Sequence, residues 1–428
     1  MTTATTSKSS QAAQVRVEGR RLLMLTHRVP FPPDRGDRIR SWNILKHLAK
    51  TNQMSLGCVS DEPVTADIRA KLESVCERIS ITNVGSKIKW MRAGISASRG
   101  RSLTEGLFWS PTLDRTLARW NKEQRFDAVI VYCSSMLRYA RRPHLKITPN
   151  FVDLVDVDSQ KFHEYANNAK WWKKAIYRTE ANRVQRLEHD AVRLSKVVTL
   201  VSDAEAEVLC GTLQSGEHGV HGIANGVDTE YFTPQQATET QNACDEIKSP
   251  KFVFVGVMNY PPNVEALRWF AANVWPDLKK IYPHTELEIV GKHPNNEVLN
   301  LANNDGIRVT GAVPDVRSHV ANADIVIAPL QIARGIQNKV LEALSMGKPV
   351  IASPKASHGI NASHNEHLLI ADTPKEWLKS IKACCDSSDL RQKLSLNGRK
   401  LICDQYTWQA TLSKFDELLD QHLASRTS

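Results

Sequence analysis

The chain has 428 residues, 41% hydrophobic and 24% charged, with 56 Lys+Arg against 46 Asp+Glu. That length exceeds one ordinary core, so two domains of about 200 residues are expected, and no apolar run approaches the ~18 residues of a membrane span. The eight cysteines are scattered with no C-x2-C pair, which argues against a zinc or redox site and for a reduced, cytoplasmic protein without a structural metal. Charge is uneven: residues 1–200 hold 35 basic against 19 acidic side chains (+16), and residues 201–428 hold 21 against 27 (−6). The first half is therefore expected to meet something anionic, whether nucleic acid, a membrane surface or a phosphorylated substrate.

Residues 1–19 are polar and Ser/Thr-rich with no apolar segment behind them, the pattern of a disordered tail and not of a signal peptide. Residues 21–26 (RLLMLT) read as a buried strand. The loop THRVPFPPDRGDRIR follows, and its three prolines and Gly36 place backbone amides where a substrate can approach. Asp37 either caps the next helix or joins Arg35, Arg38 and Arg40 near an anion; an Arg-rich solvated face is the simpler alternative. The loop is not G-x-G-x-x-G, which speaks against a nicotinamide enzyme. A helix over 36–50 carries Ile39, Trp42, Ile44, Leu45 and Leu48, and strands follow at 54–59, 128–132, 151–155 and 197–201. Asp153, Asp156, Asp158 and Ser159 gather where the 151–155 strand ends, as metal ligands, a substrate contact or helix caps. Residues 87–101 and 169–186 set Trp beside Lys and Arg. That pairing suits a membrane interface, single-stranded nucleic acid, or plain helices with Trp turned inward.

After the polar stretch 235–250 the rhythm restarts, with strands at 252–256, 287–291, 307–310, 323–328 and 350–353. Between the last two, Gly335 is expected to open a helix bearing Val340, Leu341, Leu344 and Met346, closed by Gly347 and Pro349. So tight a βαβ unit points its helix N-terminus out of the carboxyl edge of a parallel sheet, where amides suit a diphosphate. Lys339 and Glu342, three apart, share a face. Together they can hold a phosphate and a sugar hydroxyl; otherwise they are a dipole-favoured Glu and a solvated Lys. A last helix over 406–423 can cross back to the first half. Alternation in both halves predicts an α/β fold of two doubly wound Rossmann-like domains facing across a cleft. The expected boundaries are 20–211, a connection at 212–250, 251–405, and a crossing helix within 406–428.

The segments PPDRGDRIR, IANGVDTEYFTP (residues 223–234) and KVLEALSMGKPVIAS resemble the retaining glycosyltransferases of family four, which have the GT-B fold. FVGVMNYPPNVEALRWF and VTGAVPDV resemble that family's nucleotide-binding loops. VDLVDVDSQKF and ARGIQNKVLEAL are similar to sugar transferases of PEP-CTERM exopolysaccharide systems. The resemblance implies metal-independent hexosyl transfer from a nucleotide diphosphate-sugar to a saccharide or lipid-linked acceptor, in exopolysaccharide or other surface glycan biosynthesis. No cofactor is implied, since the nucleotide-sugar is a substrate, and no nucleic acid. The implied setting is the cytoplasm, at the inner face of the plasma membrane, with peripheral contact through 87–101 and 169–186.

By the same resemblance the first domain holds the acceptor and the second the donor. Gly256 and Asn259 would lie near the phosphates, Gly311 and Val313 beside the base, and Glu342 on the ribose. Gly335, Asn338 and Lys339 would surround the diphosphate, with Gly36 and Asp37 facing it or the donor sugar from the first domain. Asp156 stands where the family has a donor-facing histidine, as a hydroxyl or acceptor contact or a base. Two positions depart from the family. Its first glutamate falls at Arg334, and the Arg of its first loop at Val257, so Arg334 and Lys339 would supply the positive charge from the helix side. The alternative is a non-catalytic GT-B-like protein that binds an anionic polymer or membrane, favoured by Arg334. A sugar-nucleotide epimerase shares the fold but needs further acid/base residues that the sequence does not point to.

Overall fold

The computed structural model describes residues 19–60, 62–168, 170–213, 219–234, 246–333 and 335–423. The tail up to residue 18, Arg334 and much of the 235–250 stretch therefore lie outside the described residues. The first sheet contains β1 (Arg21–Thr26), β2 (Gln53–Ser60), β3 (Arg78–Asn83), β4 (Ala128–Tyr132), β5 (Asn150–Val155), β6 (Val197–Leu200) and β7 (Val220–Gly222). They are parallel, in the order β3-β2-β1-β4-β5-β6-β7. The second contains β8 (Lys251–Val255), β9 (Glu286–Val290), β10 (Ile307–Gly311), β11 (Ile325–Ala328), β12 (Val350–Ala352) and β13 (Leu369–Ile370). These are also parallel, in the order β10-β9-β8-β11-β12-β13.

The continuous apolar run of β1 has a simple cause. Leu23 and Leu25 enter one core, Leu22 and Met24 the other, so helices cover both faces of the sheet. Strands β3, β7 and β13 went unforeseen. The first is a half-buried RISITN edge, and the other two span only three and two residues, too short for a period to register.

The chain returns to the first domain through the helix Trp408–His422, capped by the Thr407 hydroxyl, which accepts from the Ala410 amide. Its Leu412, Phe415, Leu418 and Leu419 join the core that also holds Trp42 and Leu45 of the Gly36–Leu48 helix. His47 Nε2 lies 2.6 Å from an Asp416 oxygen, and Lys414 Nζ donates to the Gly222 carbonyl at 3.0 Å. The two carboxyl edges face each other. Lys292, just past β9, pairs with Asp34 of the loop after β1 at 2.8 Å. No described helix is long and apolar enough to cross a membrane.

Arg40 corrects the expectation of a solvated or anion-binding arginine. It has 0% exposure. Its Nε donates to Asp153 of β5 at 2.9 Å, and its Nη1 donates to the Ile223 carbonyl at 2.9 Å and to Asn225 Oδ1 at 3.0 Å. Asn225 in turn donates through Nδ2 to Asn338 Oδ1 at 3.1 Å. Helix, strand, interdomain chain and second domain are thus joined by one buried polar chain. Burial pushes the Asp153 carboxyl up, opposed by Arg40. Arg40→Met leaves that carboxylate buried without its cation and should destabilise the protein by about 3–5 kcal/mol in urea unfolding. Adding Asp153→Leu removes the stranded charge, and the double variant should regain most of the loss.

Candidate functional site

Ligands of open parallel sheets bind beyond the carboxyl ends of the strands, where the winding direction reverses. In the second sheet that point lies between β8 and β11. The Gly256 amide donates to the Val290 carbonyl at 3.0 Å and the Gly291 amide to the Gly311 carbonyl at 3.1 Å. Gly256, Gly291 and Gly311 therefore stand side by side at the ends of β8, β9 and β10. Lys339, arriving from the β11 side, crosses the crevice. Its Nζ donates to Asn263 Oδ1 at 2.7 Å and lies 4.1 Å from the Phe254 ring centroid, while Asn263 Nδ2 donates to the Val257 carbonyl at 2.9 Å. A Cβ at Gly256 would fall 2.7 Å from Asn263 Nδ2 and 3.3 Å from Lys339 Nζ, so the glycine lets the lysine sit against the loop backbone.

The helix beyond β11 runs Asn338–Ser345 and has no side-chain cap at its start. It begins three residues later than expected. Gly335 does not open it, because its φ of +62° is left-handed and incompatible with a right-handed turn. The glycine serves close approach instead. A Cβ there would lie 2.8 Å from Asp156 Oδ1 and 2.8 Å from Val201 Cγ2 of the first domain. Glu342 is half-buried on the same helix. Burial raises its carboxyl to about 7, opposed by Lys339, and burial lowers the Lys339 ammonium to about 7, opposed by Glu342. Among the described residues no side chain or amide hydrogen-bonds the Glu342 carboxylate.

Across the cleft, Val155 turns the chain at a φ of +71°, a conformation that strains a β-branched residue, and so delivers Asp156 to Gly335. Burial raises Asp156 to about 7, and the negative charges of Glu205 and Asp158 add to the effect. The neighbouring aspartates separate. Asp153 goes to Arg40, whereas Asp158 is raised by burial and relieved by Lys161. Ser159 is held by Glu188 and not by an aspartate, with its amide at 3.0 Å and its hydroxyl at 2.6 Å. Among the described residues no group of three or more His, Cys, Asp or Glu is placed to hold a metal ion.

Asp37 does not cap its helix, whose N-cap, Arg35, makes no side-chain cap bond. The Asp37 carboxylate accepts from Arg28 Nη1 at 2.6 Å, with His27 Nε2 and Arg35 Nε each at 3.6 Å. Against its burial, His27 and Arg28 hold it well below the usual carboxylate range. Arg38 pairs with Asp34 at 3.2 Å and Glu62 at 2.5 Å, so the arginines of this loop are matched internally. A Cβ at Gly36 would meet no atom within 4 Å. Asn259 is exposed, and Val313 packs half-buried on the second core. Sequence reasoning passed over His27, Arg28, Asn225 and Asn263. The available signal was position: His27 directly follows a buried strand, Asn225 lies inside the NGVD segment, and Asn263 closes the YPPN turn.

Residues 249–387 match the family model described as glycosyl transferases group 1. An uncharacterized glycosyltransferase of Methanocaldococcus jannaschii is 25% identical over 123 residues, which is 28% of this chain and 31% of that protein. An uncharacterized 44.6 kDa protein of the Klebsiella pneumoniae cps region is 23% identical over 162 residues, 36% of this chain and 42% of that one. The chain thus spans less than half the length of these curated relatives. The Anabaena protein HepE, solved in complex with UDP and glucose, superposes with a TM-score of 0.65 over 94% of this chain and 100% of that one, at 13% identity. Fold and match together give a GT-B arrangement whose second half, over residues 249–387, resembles the glycosyl transferases group 1 model.

Gly335→Ala tests a close approach between the domains. A methyl at that left-handed position should cost about 1–2 kcal/mol through the backbone alone. Displacement of Asp156 should add to it, so that Asp156→Ala recovers part of the loss in a double-mutant thermal-unfolding cycle.

Proposed function

We propose that the protein is a family-four retaining glycosyltransferase that moves a hexosyl group from a nucleotide diphosphate-sugar to a saccharide or lipid-linked saccharide, without a metal, in the making of an exopolysaccharide or other surface glycan. The observation that carries this reading is the Lys339–Glu342 pair on one helix face, set at the winding reversal of the second sheet and within the group 1 match. Lys339 has Glu342 as its counter-charge and is still lowered by desolvation, so a diphosphate would add the charge that favours its ammonium form. Glu342 stands free to accept from ribose hydroxyls, and the Asn338–Ser345 helix offers amides to the same phosphates. Arg334 would add its charge to the departing diphosphate. Such fixed cations act most strongly where leaving-group charge develops. Asp156, close to neutral pH in its proton affinity, would hold an acceptor or sugar hydroxyl or take its proton. The cps-region relative supports a polysaccharide setting, and HepE's UDP and glucose support a nucleotide-sugar donor.

Thermal unfolding against UDP, GDP, ADP and their sugars tests the donor site. One nucleotide should raise the midpoint, by the equivalent of ~2.7 kcal/mol at a hundred times Kd. Glu342→Ala should cut that shift at the same ligand concentration to roughly 0.4–1.4 kcal/mol and lower kcat/KM roughly 10–100-fold, the worth of hydrogen bonds to a charged group. No shift with any nucleotide, in folded protein, would favour a non-catalytic binder.

Titration supplies a second check. The free Lys339 ammonium titrates near 7, and a bound diphosphate favours its charged form. Affinity for that nucleotide should therefore fall as pH rises from 7 to 9. Binding should take up a proton near pH 7.5, read as a buffer-dependent enthalpy in calorimetry. Lys339→Met should remove the lysine's share of both effects, leaving what Glu342, itself raised to about 7, contributes.

A further inference from the structure

Trp90 and Trp171 of the first domain, 62% and 86% exposed, face outward and not inward, and nothing in the structure shows what covers them. A cavity of about 490 Å³ between the domains is better defined. The first domain walls it with Gly222 of β7 and with residues 202–204, where the helix Asp203–Cys210 begins. The second domain contributes Ile336 and residues 359–361. Ala224 and Tyr406 also line it, and they lie on the two stretches by which the chain passes between the domains. Those stretches pair with each other: the Val227 amide donates to the Tyr406 carbonyl at 2.7 Å, and Val227 bridges Thr407. Gly359, at a φ of +83°, brings the second domain up to the first, for a Cβ there would lie 3.6 Å from Ser202 Cβ. Gly256, Lys339, Glu342 and Asp156 do not line this cavity, so it is separate from the crevice at β8 and β11.

The polar groups around it are of two kinds. Tyr406 is 6% exposed. Its hydroxyl accepts from the Asn361 amide at 2.8 Å and, among the described residues, donates to nothing. Burial raises the phenol, the Asn361 bond opposes this, and the charge of Asp203 adds to it, so the hydroxyl stays a donor. Gln405 Oε1 accepts from Asn361 Nδ2 at 3.3 Å, which leaves Gln405 Nε2 as a second donor. On the first domain's side, Asp203 Oδ1 accepts from the Gly222 amide at 3.1 Å, and its Oδ2 remains as an acceptor.

That set discriminates among ligands. No Lys, Arg or His lines the cavity, and Lys414, which reaches Gly222, donates to its carbonyl at 3.0 Å. Asp203 already stands in the first turn of its helix, so an anion meets a carboxylate there without a cation. A metal ion finds one carboxylate where it needs several oxygen ligands, and an ammonium has no lone pair for Tyr406 or Gln405. An apolar molecule leaves the buried Tyr406 donor unmatched. Hydroxyl groups both donate and accept, and the carbons that bear them suit Ile336, Ile360 and Ala224. The volume falls within the ~300–1,000 Å³ of small-molecule sites, which favour domain interfaces.

We propose that the cavity between the domains is a carbohydrate site apart from the donor crevice, taking one neutral hexose unit, free or at the end of a glycan. The inference stands on this cavity and not on the transfer reaction, and failure of every nucleotide in the unfolding panel would leave it intact. In saturation-transfer NMR the full chain should bind methyl α-glucoside, methyl α-mannoside or methyl α-galactoside saturably, and Glu342→Ala should bind it equally. Asp203→Asn, which keeps the Gly222 bond, combined with Gln405→Ala should weaken binding at least roughly tenfold. Ala204→Leu, which fills the cavity, should abolish it, and both variants should keep the thermal midpoint. The 6-phosphate of the same hexose should bind more weakly. Tighter binding of its tetrasaccharide assigns the site to the end of a glycan, and equal binding to a free hexose. Undiminished binding by both cavity variants would overturn the proposal, as would loss of binding in Glu342→Ala. So would equal affinity for the 6-phosphate, or no binding of any of the three glycosides to folded protein.

Discussion

Arg40 and Asp153 form the contact on which the rest of the arrangement depends. A guanidinium with 0% exposure is tolerable only where its charge is matched, because an unpaired buried ion costs several kcal/mol; Nε and Nη1 find partners, while Nη2 makes no hydrogen bond. Here the match comes from β5, from the Ile223 carbonyl and from Asn225. Each partner belongs to a different part of the chain, so satisfying the arginine fixes a helix, a strand and the interdomain segment relative to one another. Asn225 carries the constraint on to Asn338, the first residue of the helix that presents Lys339 and Glu342. The geometry of the second domain's crevice is therefore tied to a pair buried in the first.

Charge is organised by depth. The first half is strongly basic in total, yet its cleft edge is lined by carboxylates, some held ionised by arginine and histidine and others pushed towards neutrality by burial. The second half is net acidic, yet it presents a half-buried lysine to the same cleft. Net charge by domain thus describes the outer surface, where solvent lets like charges accumulate. Within the cleft low polarisability demands local neutrality, and a group still shifted by desolvation, Lys339 above all, marks where a ligand's charge would be welcome.

Two of the left-handed residues fall where the domains meet. Val155 at a φ of +71° turns Asp156 out of the strand, and Gly335 at +62° leaves room for that carboxylate. Neither feature helps its own sheet. Both bring a titratable group of one domain against the loop before the Asn338–Ser345 helix of the other, a placement that only the assembled pair of domains can use.

Read without a structure, the chain determined its architecture well. Apolar runs such as RLLMLT have no polar face, so they demand strands covered on both sides, and their alternation with amphipathic helices leaves little but two parallel sheets. The shared face of Lys339 and Glu342 was equally legible, because helical spacing alone sets it. What the sequence could not carry was partnership. Arg40 is written like its neighbours Arg35 and Arg38, and only the approach of β5 and residue 225 makes it a buried keystone. Asp37, expected either as a cap or near an anion, is drawn to Arg28. Ser159 is held by Glu188 from a helix far along the chain. Helix starts, strand ends and short edge strands shifted for the same reason. Periodicity reports which face of an element is apolar, whereas the partner of a charge depends on which distant segment packs against it, and that is decided by the tertiary structure.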